Sequence, residues 1–250
     1  MTLHYQELGS GETVVILHGL FGSGDNWLTP ARELSGFYHV VLPDLPNHGD
    51  SPSGTSMQYP AMASDVAAFL KDFGPVHLVG HSMGGKIAMA LALEFPEHVR
   101  SLLVVDICPV RYKPSHERIL EGMRVVGDAA PNRRSDADSI LSEYVPDRGV
   151  RAFLLKSYDS HSSRWKLNVP LIQTDYEHIL DWPYPAAAEI TIPAMLVYGG
   201  KSEYASDEAR AAMRSLARNL REHCIPEAGH WVHAEYPKET IRVIREFLNT

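Results

Sequence analysis

Short apolar runs alternate with helix-patterned segments through the first hundred residues. Thr13-Val-Val-Ile-Leu17 is uninterrupted and β-branched, as expected of a strand buried on both faces. Residues 38–42, 76–79 and 99–105 repeat that pattern. Between them, residues 60–73 place Met62, Val66, Phe69 and Leu70 at helical spacing and stop at Gly74-Pro75. Residues 83–95 are rich in Ala and Leu and stop before Pro96. Strand and helix at this spacing predict βαβ units and a mostly parallel sheet. The pattern resumes late in the chain with a strand at 194–198, a helix at 206–220, a strand at 221–225 and a helix at 237–248. That last helix carries Ile241, Ile244 and Leu248 on one face.

Residues 108–190 lack a strand pattern and are bracketed by Pro109, Pro114, Pro183, Pro185 and Pro193. Helices are predicted there at 115–127, 135–145 and 149–157. The expected architecture is therefore an α/β core, residues 1–107 with 191–250, whose mostly parallel central sheet is flanked by helices. Residues 108–190 form an inserted helical cap. An insertion at one point of an open α/β sheet most often lies over the crevice at the carboxyl ends of the strands.

Gly80-His81-Ser82-Met83-Gly84 is a G-x-S-x-G pentapeptide between a strand and a helix. In that setting the serine sits on a tight turn that exposes its hydroxyl. A serine hydroxyl is a weak nucleophile and needs a base. Of 13 histidines, His230 follows the last strand and precedes the closing helix, where a loop can return its imidazole to Ser82. His18 and His48 lie inside other turns, and His77 lies within a strand. The His230-x-x-His233 pair is a weaker metal reading without a carboxylate ligand. The acid that orients the base commonly follows the strand before the last, and there the chain has Ser202, which carries no charge. Asp106, ending the 99–105 strand, is the better candidate; Glu203 and Asp207 are lesser ones, Asp207 being read as a helix cap. Oxyanion donors are expected from the backbone N–H of Met83 and of Leu20, with Phe21 close behind, in a glycine-rich turn before a helix capped by Asp25.

Composition narrows the partners. The chain has 250 residues, 44% hydrophobic, 22% charged, with net charge −8. That balance disfavours a nucleic-acid binder, because phosphate neutralisation needs a basic face. The acidity is uneven: residues 108–190 hold 11 basic and 12 acidic residues, the remainder 12 and 19. An anionic small substrate beneath the cap is thus compatible with the charge. Cys108 and Cys224 lack disulfide or metal spacing. No secretory signal or membrane span is expected, and the default is a cytoplasmic protein with no cofactor and no metal. Oligomeric state stays open.

The motifs HGLFGS (18–23), NHGDSP (47–52), YPAMASD (59–65), GHSMGGK (80–86), DICPV (106–110), FLLKS (153–157), W-x-x-NVP (165–170), GGKSEY (199–204) and GHWVHAE (229–235) span nearly the whole chain. On them it resembles the α/β-hydrolases, and within these the YbfF-type bacterial esterases. The resemblance implies a Ser-His-Asp triad of Ser82, His230 and Asp106, with a serine, Ser202, standing near the histidine. Pro46 replaces the arginine of the wider pattern, in what reads as a scaffold turn. The implied activity is a serine carboxylesterase acting on short- to medium-chain acyl esters through an acyl-enzyme. An acyl-CoA thioesterase on the same triad is one alternative, and a non-catalytic small-molecule receptor is the other. Phe21, Tyr144, Phe153, Leu154, Trp165 and Trp231 are candidate pocket residues, although apolar cap side chains more often anchor helices than line a pocket.

Overall fold

The computed structural model describes residues 2–249. Its strands are β1 (Tyr5–Leu8), β2 (Thr13–Leu17), β3 (His39–Pro43), β4 (Val76–His81), β5 (Val99–Val105), β6 (Tyr158–Asp159), β7 (Arg164–Trp165), β8 (Ala194–Gly199) and β9 (Leu220–Ile225). Seven form one sheet in the order β1-β3-β2-β4-β5-β8-β9. β1 runs antiparallel to β3, and every other pairing is parallel. β1 is absent from the apolar pattern because, at the sheet edge, its YQEL side chains alternate between exposed and half-buried.

Alternate residues of the central strands feed two cores. Val15, Leu17, Leu78, Leu102, Val104 and Leu196 face one side of the sheet. Val14, Ile16, Val79, Leu103, Val105 and Val197 face the other. Pro237–Leu248 and Leu28–Leu34 cover the second face. The buried side of the closing helix is Thr240, Val243, Ile244, Phe247 and Leu248, so Ile241 sits at its margin. On the first face, Met83–Glu94 is buried almost all round, and its alanines let Tyr59–Leu70 approach closely. The helix predicted at 206–220 ends at Leu216, leaving a short turn before β9.

The segment between β5 and β8 carries helices Glu117–Ala129, Arg134–Ser142 and Arg148–Leu154, close to the three expected. It also holds the β6–β7 hairpin and two short helices, Val169–Thr174 and Tyr176–Leu180, that the pattern did not predict. Hydrogen bonds seat the segment on the sheet's carboxyl edge. Ser157 Oγ donates to Phe21 O at 3.1 Å, Tyr59 Oη to Ile179 O at 2.7 Å, and Asn168 N–H to Asn47 O at 3.0 Å. By Ile190 the chain is back on the sheet layer, with its N–H on Leu216 O at 2.7 Å.

Two helix caps differ from expectation. Ser23, in a reciprocal capping box with Asn26, caps the turn at Gly24–Trp27 in place of Asp25. Ser206, whose Oγ accepts from Ala209 N–H, caps the helix that opens with Asp207. Ser23 stands two positions before Asp25 and Ser206 one before Asp207, each with the extended ψ, 175° and 164°, of an N-cap residue. Among the described residues, no helix is long and apolar enough to cross a membrane.

Candidate active site

Ser82 lies at the junction of β4 and the helix Met83–Glu94, with φ 53° and ψ −123°. Such a conformation costs on the order of 1–3 kcal/mol and survives only where neighbours hold it. Gly84 permits it: a Cβ there would meet Leu17 O and His18 O at 2.5 Å. The Ser82 N–H donates to Val105 O at 3.0 Å, and the Asp106 N–H to Val197 O at 2.8 Å. The ladder thus sets Ser82 and Asp106 at neighbouring strand ends.

The His230 loop completes the row. Its Nδ1–H donates to Asp106 Oδ2 at 2.7 Å, and Ser82 Oγ–H donates to its Nε2 at 3.0 Å. A carboxylate can only accept, so the Asp106 contact assigns the proton of a neutral imidazole to Nδ1. Asp106 is fully buried. Its Oδ1 accepts from Gly199 N–H at 2.8 Å, and Ser202 Oγ donates to the same Oδ2 that binds His230. Ser202 therefore supports the carboxylate rather than replacing it. Glu203 and Asp207 make no contact with His230; Asp207 pairs with Arg210.

The loop is held from both sides. The Glu235 carboxylate accepts from Gly229 N–H at 2.8 Å and Trp231 N–H at 3.1 Å. Behind it, His81 Nε2–H donates to His230 O at 3.0 Å. The Tyr204 ring stacks on the imidazole with centroids 4.0 Å apart. Gly199 makes this convergence sterically possible, because a Cβ there would meet Gly229 O at 2.2 Å. Burial keeps the surrounding histidines neutral: it holds His81 well below the imidazole range, His116 at about 4 and His233 at about 3. His233 stacks on Trp27 with centroids 4.2 Å apart. Among the described residues, three potential metal-ligand atoms converge only at His4, Asp44 and Asp50.

Met83 N–H belongs to the first turn of its helix and has no intrahelical acceptor. The His18–Phe21 turn lies against the serine, since a Cβ on Gly19 would stand 3.2 Å from Ser82 Cβ. His18 anchors that turn: its Nε2 accepts from Leu45 N–H at 3.0 Å, and its Nδ1–H donates to Gly19 O at 2.8 Å. Leu20 and Met83 both line a cavity shared with Ser82.

Two cavities meet at Ser82. The larger, about 360 Å³, is lined by His230 and by Phe21, Phe153, Leu154 and Trp231 of the expected pocket. The smaller, about 40 Å³, is lined by Met83, Lys86, Ile107, Tyr112 and Tyr204 among others. Leu20, Ser82 and His116 line both. Tyr144 and Trp165 line neither. Tyr144 packs over Gly122, and Trp165 Nε1–H donates to Met123 O at 2.8 Å while its ring meets Tyr158 edge-on. Both hold the inserted segment together, the packing role that apolar cap residues usually have. His81, Tyr204, His116 and Lys86 went unnoticed in the sequence. The one available signal was Lys86, a lysine at helical spacing i+4 from the serine inside an otherwise apolar helix.

Residues 12–237 match the profile of a family described as alpha/beta hydrolase fold. Esterase YbfF of Escherichia coli (strain K12) is 36% identical over 247 residues, covering 98% of this chain and 96% of its own. The sn-1-specific diacylglycerol lipase ABHD11 of Mus musculus is 35% identical over 248 residues, covering 94% of this chain and 80% of its own. A solved marine microorganism esterase superposes with TM-score 0.93 at 34% identity, covering 98% of this chain and 99% of that one.

Proposed function

Because the chain belongs to the α/β-hydrolase family, we propose that it hydrolyses short- to medium-chain carboxylic esters through an acyl-enzyme on Ser82, with residues 108–190 as a cap over the site. The chain is a serine ester hydrolase rather than a non-catalytic receptor, in keeping with relatives named esterase and diacylglycerol lipase. The observation that carries the mechanism is the unbroken relay from Ser82 Oγ through His230 to Asp106.

In the first step Ser82 Oγ attacks the ester carbonyl while His230 Nε2 takes its proton. The N–H groups of Met83 and Leu20 receive the developing oxyanion. Asp106 stabilises the imidazolium through Nδ1–H, held in place by Gly199 N–H and Ser202 Oγ. His230 then protonates the leaving alcohol, which departs, and water attacks the acyl-enzyme by the reverse proton path. Apart from substrate and water, every group these steps use belongs to the chain. Thioesters of the same acids form a second reading, favoured by Lys156 on the larger cavity, a cation suited to an anionic thiol leaving group.

The test is hydrolysis of p-nitrophenyl butyrate together with labelling by a fluorophosphonate. The wild-type chain is expected to turn over and to carry one adduct on Ser82, and Ser82→Ala to do neither. Turnover that survives in Ser82→Ala refutes the proposal.

A further inference from the structure

The two cavities at Ser82 are chemically unequal. In ester hydrolysis the leaving oxygen must lie within reach of His230 Nε2, which protonates it. His230 lines the larger cavity and is not among the residues lining the smaller. The alcohol therefore occupies the larger cavity, and the acyl chain must run the other way, past Met83. That branch holds about 40 Å³, room for roughly three water-sized groups, so the chain it takes is short.

Lys86 lies in that branch, one helical turn beyond Ser82 on the same helix face. Its side chain is 1% exposed. Nζ donates to Leu180 O at 3.0 Å and Asp181 O at 2.8 Å, which leaves one of its three hydrogens without a hydrogen-bond acceptor. The rings of Tyr59 and Tyr112 lie 5.3 and 4.8 Å from it. Among the described residues no carboxylate comes within 4 Å of Nζ; Asp181, whose backbone oxygen Nζ bonds and whose charge acts on it from farther off, has its carboxylate 3.8 Å from Arg111. A buried cation without a counter-ion in contact is costly, and a neutral donor could bridge two carbonyls more cheaply. Burial accordingly draws the Lys86 ammonium down to about 7. A second lysine, Lys113, lines the same cavity from its exposed rim.

We propose that the smaller cavity is the acyl site and that Lys86, with Lys113 at the rim, binds a carboxylate at the far end of the acyl chain. The preferred substrate is then a half-ester of a three- or four-carbon dicarboxylic acid. The reaction balances as half-ester anion plus water to dicarboxylate, alcohol and one proton: the Ser82 Oγ–acyl bond forms as the acyl carbon's bond to the alcohol oxygen breaks, His230 protonates that oxygen, and water later releases the acid. This rests on the acyl-enzyme reading above.

The experiment compares monobenzyl succinate with benzyl levulinate, which replaces the distal carboxylate by a methyl ketone of similar size. The expected ratio of kcat/KM is at least about tenfold in favour of the half-ester, as a hydrogen-bonded charge would give. Lys86→Met, its fold checked by circular dichroism, is expected to bring that ratio to about one. Should that variant not fold, inhibition of the wild-type chain decides: free succinate is expected to compete with benzyl levulinate, and succinamide is not. A wild-type ratio of one or below, an unchanged ratio in folded Lys86→Met, or equal inhibition by the two overturns the acyl-site proposal. Failure to hydrolyse either ester would instead overturn the acyl-enzyme reading itself.

Discussion

Acid should unfold this protein through its buried histidines, and His233 isolates the effect. Burial lowers the imidazoles of His18, His48 and His233 from the ordinary 6.5 to about 4, about 3 and about 3. A group with a depressed folded pKa binds more protons when unfolded, so stability rises with pH across the gap. The contribution is complete above the unfolded value. It is lost as pH falls below about 6.5, and the loss stops only near the folded values. At pH 5 each such group favours the unfolded chain by about 2 kcal/mol, and three of them by about 6 kcal/mol. That is comparable with a whole domain's stability of about 5–15 kcal/mol.

His233→Phe removes one titrating ring and keeps the aromatic stack on Trp27. The native His233 Nδ1 has no hydrogen-bond partner, so its loss strands nothing. The assay is urea unfolding followed by circular dichroism at pH 7.5 and pH 5, at constant ionic strength, with linear extrapolation to water. The variant should lose about 2 kcal/mol less than wild type between the two pH values. Carboxyls held low by partners, such as Glu12 with its hydrogen bond from His77, lose their contribution at lower pH and leave this window to the imidazoles. An identical acid loss in variant and wild type refutes the reasoning, because the buried ring would then be taking up its proton in the native state.

Substitutions at the acid test how the load is divided. Asp106→Asn should lower kcat by about 10³–10⁴-fold, since the amide disturbs the tautomer and cannot stabilise the imidazolium; steady-state kinetics with a p-nitrophenyl ester reads it. Ser202→Ala should lower kcat by roughly three- to thirtyfold with KM nearly unchanged, because Asp106 keeps its Gly199 and His230 partners. An inactive Ser202→Ala beside an active Asp106→Asn would reverse the assignment.

The distinction between Asp106 and Ser202 also marks how far the residues alone could speak. Strands buried on both faces write themselves as unbroken apolar runs, so β2 to β5 and β8 were legible. The nucleophile was legible because its turn is a local steric problem, solved by glycine two residues on. Edge strand β1 has no such signature, and neither do Val169–Thr174 and Tyr176–Leu180. Helices of one or two turns carry too little periodicity; these are held by the Asn168 cap and by contacts with the body. The acid lay between these limits. A chain-order argument points to the loop after β8, where Ser202 stands, and charge points to Asp106 at the end of β5. The sheet makes the two arguments compatible, because β5 and β8 are neighbours and their ends deliver both side chains to one carboxylate oxygen's surroundings. Adjacency of that kind is a property of strand order, which no local pattern encodes. The same holds for His81 under the His230 carbonyl, Tyr204 against its ring and Lys86 in the lining of the smaller cavity. Each role exists only where segments remote in sequence meet, so these residues, unlike the serine, had to be located in three dimensions before their chemistry could be argued.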